Sequence, residues 1–230
     1  MKNIIVTGAS KGIGIATTLS LLNKGHRVLA VARSEQLLSN LIKNLANEHI
    51  IPIVADLSVQ NGRDKVVKIA NAYSGINGLV NNAGFLIKKS FKKLTLDDWR
   101  QQFELNFFSI VDLIHSLLPL FNKHAHIVNI GSMSGFEGSV KFSGLSAYGA
   151  SKAALANLTE TLAIELHQDD IAVNCLALGA VSTDMQKAAF PNYNAVVTPE
   201  MMGNFISNFV LTHGNLFNGK ILPISLNNPI

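Results

Sequence analysis

Thr7-Gly8-Ala9-Ser10-Lys11-Gly12-Ile13-Gly14 follows directly on the β-branched run Ile4-Ile5-Val6 and opens a segment of helical pattern. Three glycines in this short stretch exceed what an ordinary strand-to-helix turn needs. Glycine allows a tight turn, lets backbone N–H groups approach a pyrophosphate, and lets helix and strand pack closely. The helix N-terminus adds a partial positive charge. A glycine trio alone says little; a strand before it and a helix after it predict a dinucleotide cradle.

Outward from this loop, short apolar runs alternate with longer helical patterns. The predicted strands are Asn3–Thr7, Arg27–Ala32, Ile50–Ala55, Gly78–Asn81, His126–Gly131, Ile171–Leu176 and Lys220–Ile224. Most are continuous, as in Val28-Leu29-Ala30-Val31, which is how strands covered on both faces read. Helices are predicted near 13–24, 35–48, 59–73, 96–122, 147–167 and 199–212. Thr95-Leu96-Asp97-Asp98 has the pattern of a capping box, and Thr198-Pro199-Glu200 puts a cap residue before proline at the first helical position. Strict alternation implies right-handed crossovers: one doubly wound α/β domain over residues 1–230, a seven-stranded parallel sheet with helices on both faces.

Composition narrows the function classes. Hydrophobic residues make up 48% of the 230 and charged residues 15%, which excludes a disordered chain. The net charge of +4 comes without any basic run longer than Lys88-Lys89 and Lys92-Lys93, so no nucleic-acid stripe is expected. The lone Cys175 permits no internal disulfide and no zinc-type spacing exists; no metal is expected. The run Ile4-Ile5-Val6 is too short for a signal peptide, and 105–121, with Asp112, His115 and Pro119, falls short of a membrane span. A soluble, cytoplasmic protein without membrane contact is expected.

The glycine spacing is Gly-x-x-x-Gly-x-Gly. Further motifs follow in order: Asp56-Leu57 after the third strand, Asn81-Asn82-Ala83-Gly84 after the fourth, Asn106 in the next helix, and Tyr148-Gly149-Ala150-Ser151-Lys152. Together they resemble the short-chain dehydrogenase/reductase family, in its compact single-domain branch, over nearly the whole chain. The resemblance implies a Rossmann-like NAD(P)-binding oxidoreductase.

An acid at the end of the second strand would repel a 2′-phosphate. Here Ala32 is followed by Arg33, and Lys11 lies in the glycine loop; both cations can serve such a phosphate, the alternative being that both are solvated surface charges. Within the family this pairing goes with NADP(H) in preference to NAD(H). The resemblance assigns Gly8, Ser10, Lys11, Gly12, Ile13, Gly14 and Arg33 to the cofactor. It adds Asp56, Leu57, Asn82, Ala83 and Gly84 around the adenosine. For Asp56, capping the next helix is an equally good reading.

Tyr148 and Lys152 lie one helical turn apart on one face. A free phenol, with a pKa near 10, is a poor catalyst at neutral pH, and a neighbouring ammonium is expected to lower that value. By resemblance Tyr148 is the acid/base and also contacts the cofactor, Lys152 holds the nicotinamide ribose, and Ser132 hydrogen-bonds the substrate oxygen. The Ser132–Tyr148 separation is wider than usual, and Ser134 and Ser139 share the loop. Asn106 would hold a water that relays protons to Lys152; simple satisfaction of a buried amide is the alternative. Val181 and Thr183 would contact the nicotinamide carboxamide or the adjoining phosphates, after a turn where Leu178 replaces the family's usual proline. The expected activity is hydride transfer between nicotinamide and a small-molecule ketone or secondary alcohol, 3-oxoacyl reductases included. The alternative is a non-enzymatic nucleotide-responsive binding or scaffold protein. The apolar helix 104–121 and the Ala-rich helix after Tyr148 predict a homodimer or homotetramer. In the family the segment between Thr183 and Thr198 covers the substrate. Here it is short, with Met185, Phe190, Pro191, Tyr193 and Val196, which predicts an open cleft; packing of these residues against the core is the alternative.

Overall fold

The computed structural model describes residues 1–45 and 47–226. Its strands are β1 (Asn3–Thr7), β2 (Arg27–Ala32), β3 (Ile50–Val54), β4 (Ile76–Asn81), β5 (Phe121–Ser132), β6 (Ile171–Leu178) and β7 (Ile221–Ile224). All pairings are parallel, in the order β3-β2-β1-β4-β5-β6-β7. Strand order reverses between β1 and β4, and in such sheets the crevice at the carboxyl ends beside that reversal is where ligands sit.

The helices are α1 (Gly12–Asn23), α2 (Glu35–Leu45), α3 (Gln60–Ala70), α4 (Leu96–Phe103), α5 (Ser109–Leu117), α6 (Ser146–Glu165), α7 (Asp184–Ala189) and α8 (Pro199–Thr212). They form two layers, and strands β1 to β6 feed both. Ile5, Leu29, Leu79, Ile127 and Val173 face one core with Leu113 and Leu117 of α5 and Leu155 of α6. Ile4, Val6, Val28, Val80 and Leu176 face the other with Leu21 of α1, Leu38 of α2 and Phe209 of α8. Both faces being covered is the reason the strands show no polar–apolar alternation.

Capping follows the sequence. Thr95 and Asp98 form the reciprocal capping box, and Thr198 accepts from the Met201 N–H with Pro199 at the first turn. The expected helix 96–122 instead runs as α4, one π turn over Glu104–Phe108, α5 and a short 3₁₀ turn. Strand β5 begins at Phe121, earlier than predicted, with an irregular register between Ile76 and Gly78 of β4. The helical stretch Leu96–Leu120 does reach the length and apolarity of a membrane span, contrary to expectation. Leu105, Ile110, Leu113, Ile114 and Leu117 nonetheless pack on the sheet as a core helix would. The predicted 35–48 helix ends at Leu45, and Ala46 lies outside the described residues.

One polar chain crosses the apolar interior. Asn81 Nδ2 donates to Asn129 Oδ1 (2.8 Å), Asn129 Nδ2 to Thr159 Oγ1 (2.9 Å), and Thr159 Oγ1 to the Leu155 carbonyl (2.8 Å). All three side chains are fully buried, and Asn81 sits opposite Asn129 in the β4–β5 register.

Candidate active site

The glycine loop leaves β1 with Gly8 at φ +66° and Gly12 at φ +49°, a region costly for other residues. A Cβ on Gly14 would stand 2.1 Å from the Gly8 carbonyl oxygen, so α1 starts against its own loop only because no side chain is there. Thr7 Oγ1 accepts from the N–H groups of Asn82 and Ala83 (2.9 Å each), while Asn82 Nδ2 donates to the Thr7 carbonyl (2.9 Å). These bonds lace the ends of β1 and β4 together and open a cleft of about 670 Å³, within the range of small-molecule sites.

Gly8, Ser10, Lys11, Gly12 and Ile13 line one end of this cleft, with Arg33, Leu57, Asn82, Ala83 and Gly84. Gly14 stands behind the wall. Lys11 and Arg33 are exposed and take part in no ion pair among the described residues. Ala32 is buried, so no acid faces the rim there. Ser34 also lines the cleft; its Oγ accepts from the Leu37 N–H (3.3 Å), leaving the hydroxyl proton for another partner. Ser34 belongs to none of the sequence motifs, although its place beside Arg33 is a usable signal.

Asp56 lies outside the wall. Its Oδ1 accepts from the Ser58 N–H (3.0 Å) and Oγ (2.7 Å), closing a turn ahead of α3. It does not cap that helix, whose N-cap is Val59 with no side-chain hydrogen bond, contrary to the alternative read from sequence. Burial works against its charge, yet the Ser58 hydrogen bonds and the nearby Arg33 cation outweigh it and hold the carboxyl below its ordinary value.

At the end of β5, Ser132 enters a 3₁₀ turn over Met133–Gly135. A Cβ on Gly135 would stand 2.6 Å from the Ala153 nitrogen, so this turn presses directly on α6. The approach sorts the three serines. Ser139 donates to the Met133 and Phe136 carbonyls as a loop tie, and Ser134 is buried with its Oγ 2.9 Å from Ser132 Oγ. Ser132 stands near the Tyr148 phenol and works to lower its pKa. The wider sequence spacing is absorbed by the loop between this turn and α6.

Lys152, one turn along α6, is buried; its Nζ donates to the Ile130 carbonyl (2.8 Å) and stands 5.9 Å from the Tyr148 ring centroid. Burial pushes the Tyr148 phenol up to about 12, only partly offset by Ser132, and pushes Lys152 down to about 8. This corrects the expectation that the ammonium lowers the phenol: desolvation wins at this separation. At neutral pH the pair is a protonated phenol beside a cation, which suits proton donation.

Asn106 stands behind Gly84. Its Oδ1 accepts from the Phe85 N–H (2.8 Å), and its Nδ2 donates to the Phe85 carbonyl (2.8 Å) and Ser151 Oγ (3.1 Å). The amide is satisfied by protein, as the structural alternative has it. It ties the loop after β4 to α6 just before Lys152.

Beyond β6, Leu178 lets pairing continue opposite Ser132 of β5 and Ile224 of β7. The Gly179 N–H then donates to the Ile224 carbonyl (2.9 Å), so the missing proline does not loosen the turn. Val181 is buried and bridges to Val197; Thr183 caps α7 through Oγ1 and puts its methyl toward Gly12. The short helix α7 was not predicted. It places Met185 and Phe190 in the cleft wall beside Leu86, Met133 and Phe142, of which the last three carried no sequence signal.

Residues 2–194 match the short chain dehydrogenase family. A benzil reductase of Saccharomyces cerevisiae that forms (S)-benzoin is 33% identical over 194 residues, 81% of this chain and 74% of that protein. A Burkholderia cenocepacia short chain dehydrogenase solved with NADP superposes with a TM-score of 0.85 at 28% identity, covering 97% of this chain and 96% of that one. The RhlG/NADP complex of Pseudomonas aeruginosa gives 0.87 at 29% identity, covering 97% and 94%. With the seven-stranded sheet, the glycine loop and the Tyr148–Lys152 helix in place, this chain belongs to the short-chain dehydrogenase/reductase family of oxidoreductases.

Proposed function

We propose that the protein is an NADP(H)-dependent reductase of ketones, or dehydrogenase of the corresponding secondary alcohols, working as a homo-oligomer. The observation that carries this is Ser132 beside the Tyr148 phenol, with Lys152 behind them, in the same cleft as the glycine loop. The cradle fits a pyrophosphate, since Gly8 and Gly12 take left-handed turns that carry the loop along the cleft into the N-terminus of α1, where backbone N–H groups suit an anion. Lys11 and Arg33 would hold a 2′-phosphate, Leu57 and Asn82-Ala83-Gly84 the adenosine, and Val181 and Thr183 the nicotinamide end. NADP in two structural neighbours and ketone reduction by the yeast relative support the same reading.

NADPH, when bound, supplies a hydride to the carbonyl carbon and leaves as NADP⁺, the oxidative direction being the reverse. Tyr148 gives its proton to the carbonyl oxygen as charge develops there, and Ser132 donates a hydrogen bond to the same oxygen. Lys152 holds the ribose and keeps a positive charge beside the phenol. Asn106 keeps the first turns of α6 against the loop that carries Gly84.

A panel of ketones followed by NADPH and NADH oxidation tests the proposal. Tyr148→Phe keeps the aromatic body and should lose roughly 10²–10⁴-fold in kcat while still binding cofactor. A binding module would show no turnover to lose. Arg33→Ala should weaken NADPH about tenfold, the low end for a charge-assisted contact because Arg33 is exposed and screened. NADH affinity should barely change; equal wild-type affinities for the two cofactors would sink the NADP preference.

A further inference from the structure

We propose that the outer half of the cleft is shaped for flat, uncharged aryl ketones, and that Lys88 sets its width by pinning Phe190; this rests on the ketone-reductase reading above. Past Ser132 and Tyr148 the wall is made by Leu86, Met133, Phe142, Leu145, Met185 and Phe190. The Phe142 and Phe190 rings meet edge to face, centroids 5.7 Å apart at 75°. Such a pair offers a flat substrate both a ring face and a ring edge.

Two polar side chains, Asp184 and Gln186, share this part of the wall. Gln186 lines the cleft, but its Nε2 donates to the Tyr193 carbonyl (2.9 Å), folding the amide back onto its own segment. Asp184 at the start of α7 is an acid and would oppose an anionic substrate. Lys11 and Arg33 belong to the glycine-loop end. A carboxylate entering beyond Tyr148 would give up water for an apolar wall, whereas an aryl group gains from the same exchange.

Lys88 reaches this wall from outside, through Phe190. Its Nζ donates to the Ala189 carbonyl at the end of α7 (2.5 Å) and stands 4.0 Å from the Phe190 ring centroid. One side chain thus satisfies a carbonyl left open at a helix end and makes a cation–π contact with the next residue. The Lys88 stem runs against Gly144, and the Lys89 N–H donates to the Gly144 carbonyl (3.2 Å). The loop after β4, the turn before α6 and the end of α7 therefore meet at Lys88, and Phe190 is held at one distance from Phe142. Lys88 is a positioning residue in this arrangement. The competing role, direct capture of a substrate carboxylate, would need the ammonium to leave both partners.

Steady-state reduction of acetophenone, acetoacetate and dihydroxyacetone with NADPH separates these roles. Wild type should favour acetophenone in kcat/KM over both. Lys88→Met should raise the acetophenone KM about tenfold with a much smaller change in kcat, the size expected for losing a cation–π contact and a charged hydrogen bond. Lys88→Arg should recover most of that loss. Phe190→Ala, which leaves Lys88 in place, should raise the same KM, and an NADPH affinity within about twofold of wild type checks that each variant is folded. Preference for acetoacetate, lost in Lys88→Met, assigns Lys88 to carboxylate capture and overturns the proposal; so does an acetophenone KM unmoved in both variants. If NADPH binds but no ketone is reduced, the ketone-reductase reading itself fails and takes this inference with it.

Discussion

Lys152 carries the sharpest consequence at the scale of single residues. Its ammonium titrates near 8 because burial disfavours the charge, while the phenol it serves keeps its proton to about 12. Between these values Tyr148 can still donate, but the cation beside it is gone. Ketone reduction should therefore fall as pH rises through about 8, although the proton donor remains protonated. Alcohol oxidation, which needs the phenol to accept a proton, should not share that fall. A kcat/KM profile for reduction that stays flat from pH 7 to 10 would contradict the assignment. Stability should respond with a definite sign. The folded chain binds Lys152's proton less tightly than the unfolded chain, so this group makes folding more favourable as pH rises from about 8 toward the ordinary lysine value.

Among the elements, the π turn over Glu104–Phe108 has the clearest purpose. A widened turn lets two successive residues, Leu105 and Asn106, both face inward, one into the core and the other to the Phe85 backbone. Asn106→Leu should leave the Phe85 N–H and carbonyl without their partner at a cost of about 1–3 kcal/mol, lowering Tm by several degrees. Loosening the loop that carries Gly84 should weaken NADPH binding as well; a thermal melt and a cofactor titration check both. How far such elements were legible depended on the kind of signal. The strands announced themselves as unbroken apolar runs, and the caps at Thr95 and Thr198 sit where their side chains required. The π turn was invisible because Leu105-Asn106-Phe107-Phe108 keeps a helical pattern on either side of it. Helix α7 is only 6 residues long and mixes polar with apolar side chains, so no period could develop. Cleft residues such as Leu86 and Phe142 come from loops, where the periodic signals that mark a core face do not apply. The Tyr148–Lys152 pair was readable from spacing, but its electrostatics were not, since desolvation depends on what packs around α6.

At the scale of the whole molecule, apolar surface remains uncovered on the helices of one layer. Phe108 is 53% exposed and Ile164 78%, while Trp99, Phe103 and Phe107 extend an aromatic cluster along α4 and the π turn. Light scattering at micromolar concentration should return the mass of a dimer or tetramer, and Phe108→Glu with Ile164→Glu should shift it toward the monomer. A monomeric wild type would contradict that expectation. The interior poses a different problem of uniqueness. Strands this uniformly aliphatic would tolerate sliding past one another, since a one-residue slip exchanges one apolar side chain for another on each face. The Asn81–Asn129–Thr159 chain removes that freedom. It acts as a key cut for one alignment: displaced by a single residue, the two buried amides would lose each other and lie in hydrocarbon. Since Asn81 adjoins Asn82 and Asn129 lies three residues before Ser132, the same key aligns the cofactor cradle with the proton donor, and a mispaired chain would be misfolded and inactive at once.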